Sequence, residues 1–182
     1  MEEALGDNIR ALRKIRGLTL TDLANAVGCS IGWLSQIERG LSRPSTTDVE
    51  AISEHLDCPV SLLFGSQPGP EIERGYVVRS ANRKKVLARK GLTEELLSPD
   101  LTDDFEVVRS EFAPGSNIGS PCTRPTQEVG YVVSGRLDLT IAGRHFKLAT
   151  GDSFRIRGDT FRWANPYIEP AVVIWIIAPP VY

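Results

Sequence analysis

Apolar positions in the first sixty residues recur at helical spacing. Leu5, Ile9 and Leu12 share one face of a helix over about residues 5–16. Leu20, Leu23, Ala24 and Val27 mark a second, shorter one. Thr19 stands before it as an N-cap whose hydroxyl suits the amide of Asp22, and Gly28 falls where a helix of that length stops. Ser30 caps a third helix, with Ile31, Leu34 and Ile37 on its apolar face and Gly40 at its end. Val49, Ile52 and Leu56 belong to a fourth, capped by Thr46 or Thr47; Cys58-Pro59 breaks it and starts a fifth, closed by Gly65. The second and third helices read as a helix-turn-helix, although a plain antiparallel helix pair in a bundle shows the same pattern.

The chain then changes character. Ser66-Gln67-Pro68-Gly69-Pro70 has the composition of a linker, and beyond it the hydrophobic period falls from 3.6 to 2. Tyr76–Arg79 is the first strand candidate. Arg83, Lys84, Lys85, Arg89 and Lys90 are read as a solvated strand face, with a second DNA contact as the alternative. From residue 104 onward short strands alternate with turns: Phe105–Phe112, Val129–Val133, Leu137–Ile141, Phe146–Leu148, Phe154–Ile156 and Ala171–Ala178. Intervals of about 8–12 residues predict a sandwich or barrel. The expected domains are residues 1–66, a linker at 67–75, and 76–182 with a barrel core at about 104–180.

The run Gly17-Leu18-Thr19, Leu23-Ala24, Val27-Gly28, Ser30, Leu34-Ser35 and Ile37-Glu38-Arg39-Gly40 resembles the Cro/C1-type, or XRE, family of DNA-binding domains. The resemblance covers roughly residues 5–65. It implies a five-helix, lambda-repressor-like domain whose third helix reads the major groove. Base-edge contacts would then come from Ser30, Ile31, Gly32, Trp33 and Gln36. Arg39 and Arg43 would clamp phosphates, with Arg13 helping, and Thr19 would also belong to the DNA-binding set. Leu20 stands where the family often has a phosphate-gripping Gln.

The C-terminal turns resemble those of the cupin family. Pro114-Gly115 opens a first motif that passes Glu128 and ends at Gly135; Gly151-Asp152-Ser153 opens a second that ends near Asn165-Pro166. This implies a jelly-roll β-barrel, so the chain as a whole is multidomain, α then β. Catalytic cupins hold a metal through His and Glu, ligands suited to divalent ions. Here only Glu128 matches. The first-motif His positions fall on Pro121 and Thr123, or on Cys122 and Arg124, and the second-motif His falls on Phe161 or Arg162. The two histidines, His55 and His145, lie elsewhere. No metal, no cofactor and no catalytic residue is therefore expected. A ligand-sensing barrel is, lined by Cys122, Arg124, Glu128, Tyr131, Arg155, Arg157, Arg162 and Trp163, and its excess of Arg favours an anionic small molecule.

Composition changes this picture in two places. Of 182 residues 41% are hydrophobic and 24% charged, and no apolar run approaches the ~18–20 residues of a membrane helix. Three cysteines are spaced like neither a zinc site nor a disulfide framework, and a cytoplasmic protein with reduced thiols is expected. The net charge of −2 gives nucleic-acid binding no support by itself. Residues 1–66 carry six Lys and Arg against nine Asp and Glu, a net −3. Weak single-site affinity is the consequence, so specific binding is expected of a homodimer on an inverted-repeat operator of double-stranded DNA. The expected function is a transcriptional regulator with a metal-free cupin that senses an effector, dimerises, or both. The rival is a cupin enzyme with an appended DNA-binding domain.

Overall fold

The computed structural model describes residues 2–64, 70–73, 75–89, 91–99 and 101–181. They divide into two compact units. The first holds the described residues up to Val86 together with Ser98–Asp103; the second holds Leu87–Leu97 and Asp104–Val181. Residues 76–86, expected to open the C-terminal domain, group with the helices.

The first unit contains α1 (Glu2–Ile15), α2 (Leu20–Val27), α3 (Ile31–Glu38), α4 (Thr46–His55) and α5 (Val60–Leu63). The apolar positions that set the helical period form its core: Ile9, Leu12, Leu23, Leu34, Ile52 and Leu56 are fully buried. α1 and α3 approach closely at Gly6, where a Cβ would stand 2.3 Å from the Ile37 carbonyl oxygen. The Asn8 side-chain amide donates to the Leu63 carbonyl at 3.0 Å and ties α1 to α5.

Three expectations need correction here. The N-cap of α4 is Ser45, not Thr46 or Thr47: Ser45 is extended, and its hydroxyl accepts the Asp48 amide at 3.2 Å. A cap must lie outside the helical φ/ψ region, and Thr46 is already inside it. Tyr76–Arg79 is not a strand. It lies between 3₁₀ turns at Glu71–Glu73 and Ser80–Asn82, with Tyr76 and Val77 exposed and paired with no strand among the described residues. Lys84 is not on a solvated face, being 8% exposed, with its ammonium donating to the Leu62 carbonyl at 3.0 Å. Gly65 and Lys90 lie outside the described residues.

Nine strands follow among the described residues: β1 (Lys85–Arg89), β2 (Leu92–Leu96), β3 (Glu106–Phe112), β4 (Gln127–Ser134), β5 (Arg136–Ile141), β6 (Arg144–Ala149), β7 (Ser153–Arg157), β8 (Phe161–Ala164) and β9 (Ala171–Ala178). They form a six-stranded sheet, β1-β2-β3-β9-β4-β7, and a three-stranded sheet, β6-β5-β8. Strand alternation decides what each sheet buries. On β3, Glu106, Val108, Ser110 and Phe112 point inward; on β9, Ala171, Val173, Trp175 and Ile177 do. Phe112 of the larger sheet meets Trp163 of the smaller edge to face, 4.6 Å between centroids. The core of the second unit therefore lies between two sheets, as in a jelly roll.

Candidate functional site

The helix-turn-helix is built by its caps. Thr19 accepts the Asp22 amide at 3.1 Å, while the Asp22 carboxylate accepts the Thr19 amide at 2.8 Å, a reciprocal box that starts α2. Gly28 ends α2 at φ 77°, a left-handed conformation that a Cβ would strain. Ser30 then restarts the chain, accepting the Trp33 amide at 3.2 Å. The turn orients α3 so that Leu34, Ile37 and Glu38 are buried while Ser30, Ile31, Gly32, Gln36 and Arg39 are exposed, with Trp33 between the two faces. Thr19 and Arg43 are exposed as well.

Arg13 behaves differently. Its Nε and one terminal nitrogen donate to the two Glu38 oxygens at 2.6 and 2.9 Å, and the other terminal nitrogen donates to the Leu18 carbonyl at 2.9 Å. The side chains are only 11% and 6% exposed. Arg13 is thus a strut between α1 and α3 and not a phosphate clamp, because its fork is spent on a buried carboxylate. The partner of Glu38 is thus Arg13 on another helix. Arg39 instead donates through Nε to the Ser35 carbonyl at 3.2 Å.

In the second unit the eight expected lining residues separate by face. Glu128 is fully buried and Trp163 nearly so, and Cys122 and Arg124 are half-buried beside them. Tyr131, Arg155, Arg157 and Arg162 are exposed, each one step out of phase with a buried neighbour: Val132, Ile156 and Phe161. The period of 2 sends them to the outer faces. The expected excess of interior Arg is therefore wrong. Arg157 lines an open depression of about 550 Å³ at the strand ends, with Thr126, Gln127, Gly158 and Pro179.

What the interior holds is an acid-rich cluster. Glu128 accepts the Thr126 hydroxyl at 2.7 Å through one oxygen and the Arg124 guanidinium at 3.1 Å through the other. Arg124 also lies over the Phe161 ring, 5.4 Å from its centroid. Glu94 accepts the Ser110 hydroxyl at 2.7 Å. Glu106 is 4% exposed, and burial pushes its pKa from 4.5 to about 7. The Val181 amide and Arg124 pull that value down, while Glu94 and Glu128 push it up. Trp175 Nε1 and Arg124 Nε are buried donors with no acceptor among the described residues. Glu94, Glu106 and Trp175 were missed from sequence. Their signal was phase, since Glu106 alternates with Val108, Ser110 and Phe112, all inward.

This donor set does not fit the metal of catalytic cupins. Both oxygens of Glu128 are engaged, one by a guanidinium that opposes a cation, and no imidazole stands near. His145 faces Asp138 at 3.4 Å on the β5–β6 hairpin, and His55 contacts the Ala51 carbonyl in α4. Cys58 and Cys29 are no better disposed as nucleophiles: burial pushes Cys58 up to about 11 and raises Cys29 as well.

Residues 4–63 match the family described as a helix-turn-helix domain, and residues 108–177 match the cupin domain family. The chain therefore joins an N-terminal helix-turn-helix domain to a C-terminal cupin domain. Among curated relatives, the transcriptional regulator ClgR of Mycobacterium tuberculosis is 36% identical over 64 residues, 35% of this chain and 57% of ClgR. The chain thus spans little more than half the length of that relative. The HTH-type transcriptional regulator SutR of Escherichia coli is 28% identical over 156 residues, 85% of this chain and 83% of SutR. Among solved structures, an RmlC-like cupin from Shewanella frigidimarina aligns with a TM-score of 0.51 at 20% identity, over 58% of this chain and 91% of that one; it bears on the fold alone.

Proposed function

We propose that the protein is a sequence-specific DNA-binding transcriptional regulator that reads the major groove with α3. The carrying observation is the division of that helix: its apolar side is buried, and its polar and small residues stand clear of the domain. Gln36 supplies an amide suited to bidentate pairing with adenine, Ile31 an apolar surface for a thymine methyl, and Arg39 and Arg43 charges for phosphates. A domain with net charge −3 grips one half-site weakly. Two heads on one duplex make the second contact intramolecular and raise avidity. The operator is then an inverted repeat with half-sites about 34–36 Å apart, or a multiple of that. Selection from random duplexes tests this reading: an inverted repeat enriches. No enrichment at low salt overturns it.

The cupin in this reading is a sensor and not an enzyme. Supporting it is the engagement of both Glu128 oxygens by Arg124 and Thr126, together with the two buried donors that lack acceptors among the described residues. The effector carries an acceptor such as a carboxylate or carbonyl for Trp175 Nε1 and Arg124 Nε. It shifts the equilibrium between binding-competent and incompetent states by its differential affinity for them. A thermal-shift screen of small carboxylates and amino acids reads out a ligand of the native state as a raised midpoint. Metal analysis of the purified protein separates sensor from enzyme: stoichiometric metal with turnover overturns the sensor.

A further inference from the structure

The outer face of the six-stranded sheet carries residues that neither the fold nor the sensor reading uses. Val129, Tyr131 and Val133 of β4 and Ile176 of β9 are each 45–49% exposed. They are not scattered. The strand registers put Val129 beside Ile176 and Tyr131 beside Ile174, and Val107 of β3 stands on the far side of Ile176. The result is a continuous apolar stripe two strands wide. Single exposed apolar residues need no explanation, but a contiguous stripe marks a surface that is covered in the working molecule.

The charges on either side of the stripe are ordered. Along β7, opposite Val129 and Gln127, stand Arg155 and Arg157, both exposed, and among the described residues neither side chain has an acidic partner. Beyond Ile174 and Val172 on the other side come Arg109 and Glu111 of β3, then Glu95 of β2 beside Arg109. Arg109 lies between the two acids, 2.8 Å from Glu111 and 3.8 Å from Glu95, so that border is net negative. Across the sheet the order is acidic, apolar, basic.

We propose that this face is where two copies of the chain associate, stripe against stripe, about a two-fold axis running along the strands. The proposal deepens the dimeric reading above and rests on it. A surface ordered acid–apolar–base is complementary to its own copy. Rotation about an axis along the strands lays the basic β7 border of one protomer on the acidic β2–β3 border of the other. Rotation about the in-plane axis across the strands sets Arg155 and Arg157 against their own copies and is disfavoured by repulsion. Size makes the borders necessary. Two strands at about 4.8 Å each and roughly 26 Å long project about 250 Å². That is less than the ~800 Å² per partner of a stable interface, so the apolar stripe cannot suffice without the charged flanks.

Sedimentation equilibrium of the full-length protein tests this at low and high salt. The wild type runs at twice the monomer mass and dissociates more readily as salt rises. Val129→Lys with Ile176→Lys weakens dimerisation at least a hundredfold. Both positions point outward, so circular dichroism and the melting midpoint stay close to wild type. Arg155→Glu with Arg157→Glu, and separately Glu95→Lys with Glu111→Lys, each weaken self-association about tenfold. Mixing these two charge-reversed proteins restores a dimer. A monomeric wild type at tens of micromolar overturns the proposal, as does a folded lysine variant that dimerises like wild type. If the charge-reversed proteins fail to complement each other, the axis is wrong and the proposal falls. The DNA reading fails separately: a stripe-dependent dimer that enriches no operator sinks that reading and leaves the interface standing.

Discussion

Three arginines near the helix-turn-helix carry the same charge and have different surroundings. Arg39 and Arg43 are exposed, so replacing each with Ala weakens binding to all sequences alike and lowers the slope of log K against log salt by about one. A titration series in potassium chloride on cognate and scrambled duplexes reads this out. Arg13 is spent on Glu38. Glu38→Ala leaves a largely buried guanidinium without its carboxylate and costs about 3 kcal/mol of stability in urea unfolding. Arg13→Ala destabilises too, but the salt slope per folded molecule is unchanged, and a slope reduced by one returns Arg13 to the DNA. Gln36→Ala costs about 1–3 kcal/mol on the cognate operator and much less on scrambled DNA, measured by fluorescence anisotropy. Unchanged cognate affinity removes Gln36 as a base reader.

At the scale of elements, caps decide where helices begin, and the same device appears twice. Thr19 with Asp22 and Ser45 with Asp48 are both S/T-x-x-D boxes in which the carboxylate returns to the cap amide. The Ser45 hydroxyl, and then its amide, hold Asp48 below the ordinary carboxylate range. The sign follows: a carboxylate with a lowered folded pKa stabilises above its unfolded value and loses that contribution as pH falls through the lowered one. Ser45→Ala costs about 1 kcal/mol at neutral pH, and the difference from wild type shrinks in acid. Chemical unfolding at pH 7 and pH 3 checks both statements, and equal losses at the two values refute the ionic share. Strands, by contrast, are set by neighbours. Leu92–Leu96 reads LTEEL, with two glutamates of low strand propensity. It is a strand because β3 pairs along its whole length and offers Ser110 to Glu94.

Across the whole second unit, the balance of interior charge gives the protein a pH dependence that its composition does not suggest. Glu106 titrates near 7 in the folded state because burial disfavours its charge. Between about 4.5 and 7 the folded chain keeps a proton that the unfolded chain has lost. Stability therefore falls as pH rises through that window and is flat above it, by up to about 3 kcal/mol. Glu106→Gln keeps a neutral side chain in place and removes the slope, so the variant is the more stable protein at pH 8 and comparable at pH 4.5. Urea midpoints at the two values decide. A wild type whose stability rises from pH 5 to pH 8 with no change on substitution sinks the assignment.

The helices, their caps at Thr19 and Ser30, the stop at Gly28 and every strand from residue 106 except Phe161–Ala164 were legible in the sequence. Each is local, resting on a period, a cap hydroxyl or a glycine within four residues of what it controls. The exposed side of α3 was legible for the same reason, since burial of Leu34 and Ile37 leaves Gln36 and Arg39 outside. What tertiary structure decided was partnership and facing. Arg13 met Glu38 across 25 residues, and Lys84 met the Leu62 carbonyl across 22. Alternation along β4, β7 and β8 separates residues into two sets, but the sequence of a strand does not say which set faces the core. Pairing with β9 and stacking of Phe112 on Trp163 made that choice, turning Tyr131, Arg155 and Arg162 outward and leaving Glu94, Glu106 and Glu128 inside. A strand reads the same from either face until something packs against it.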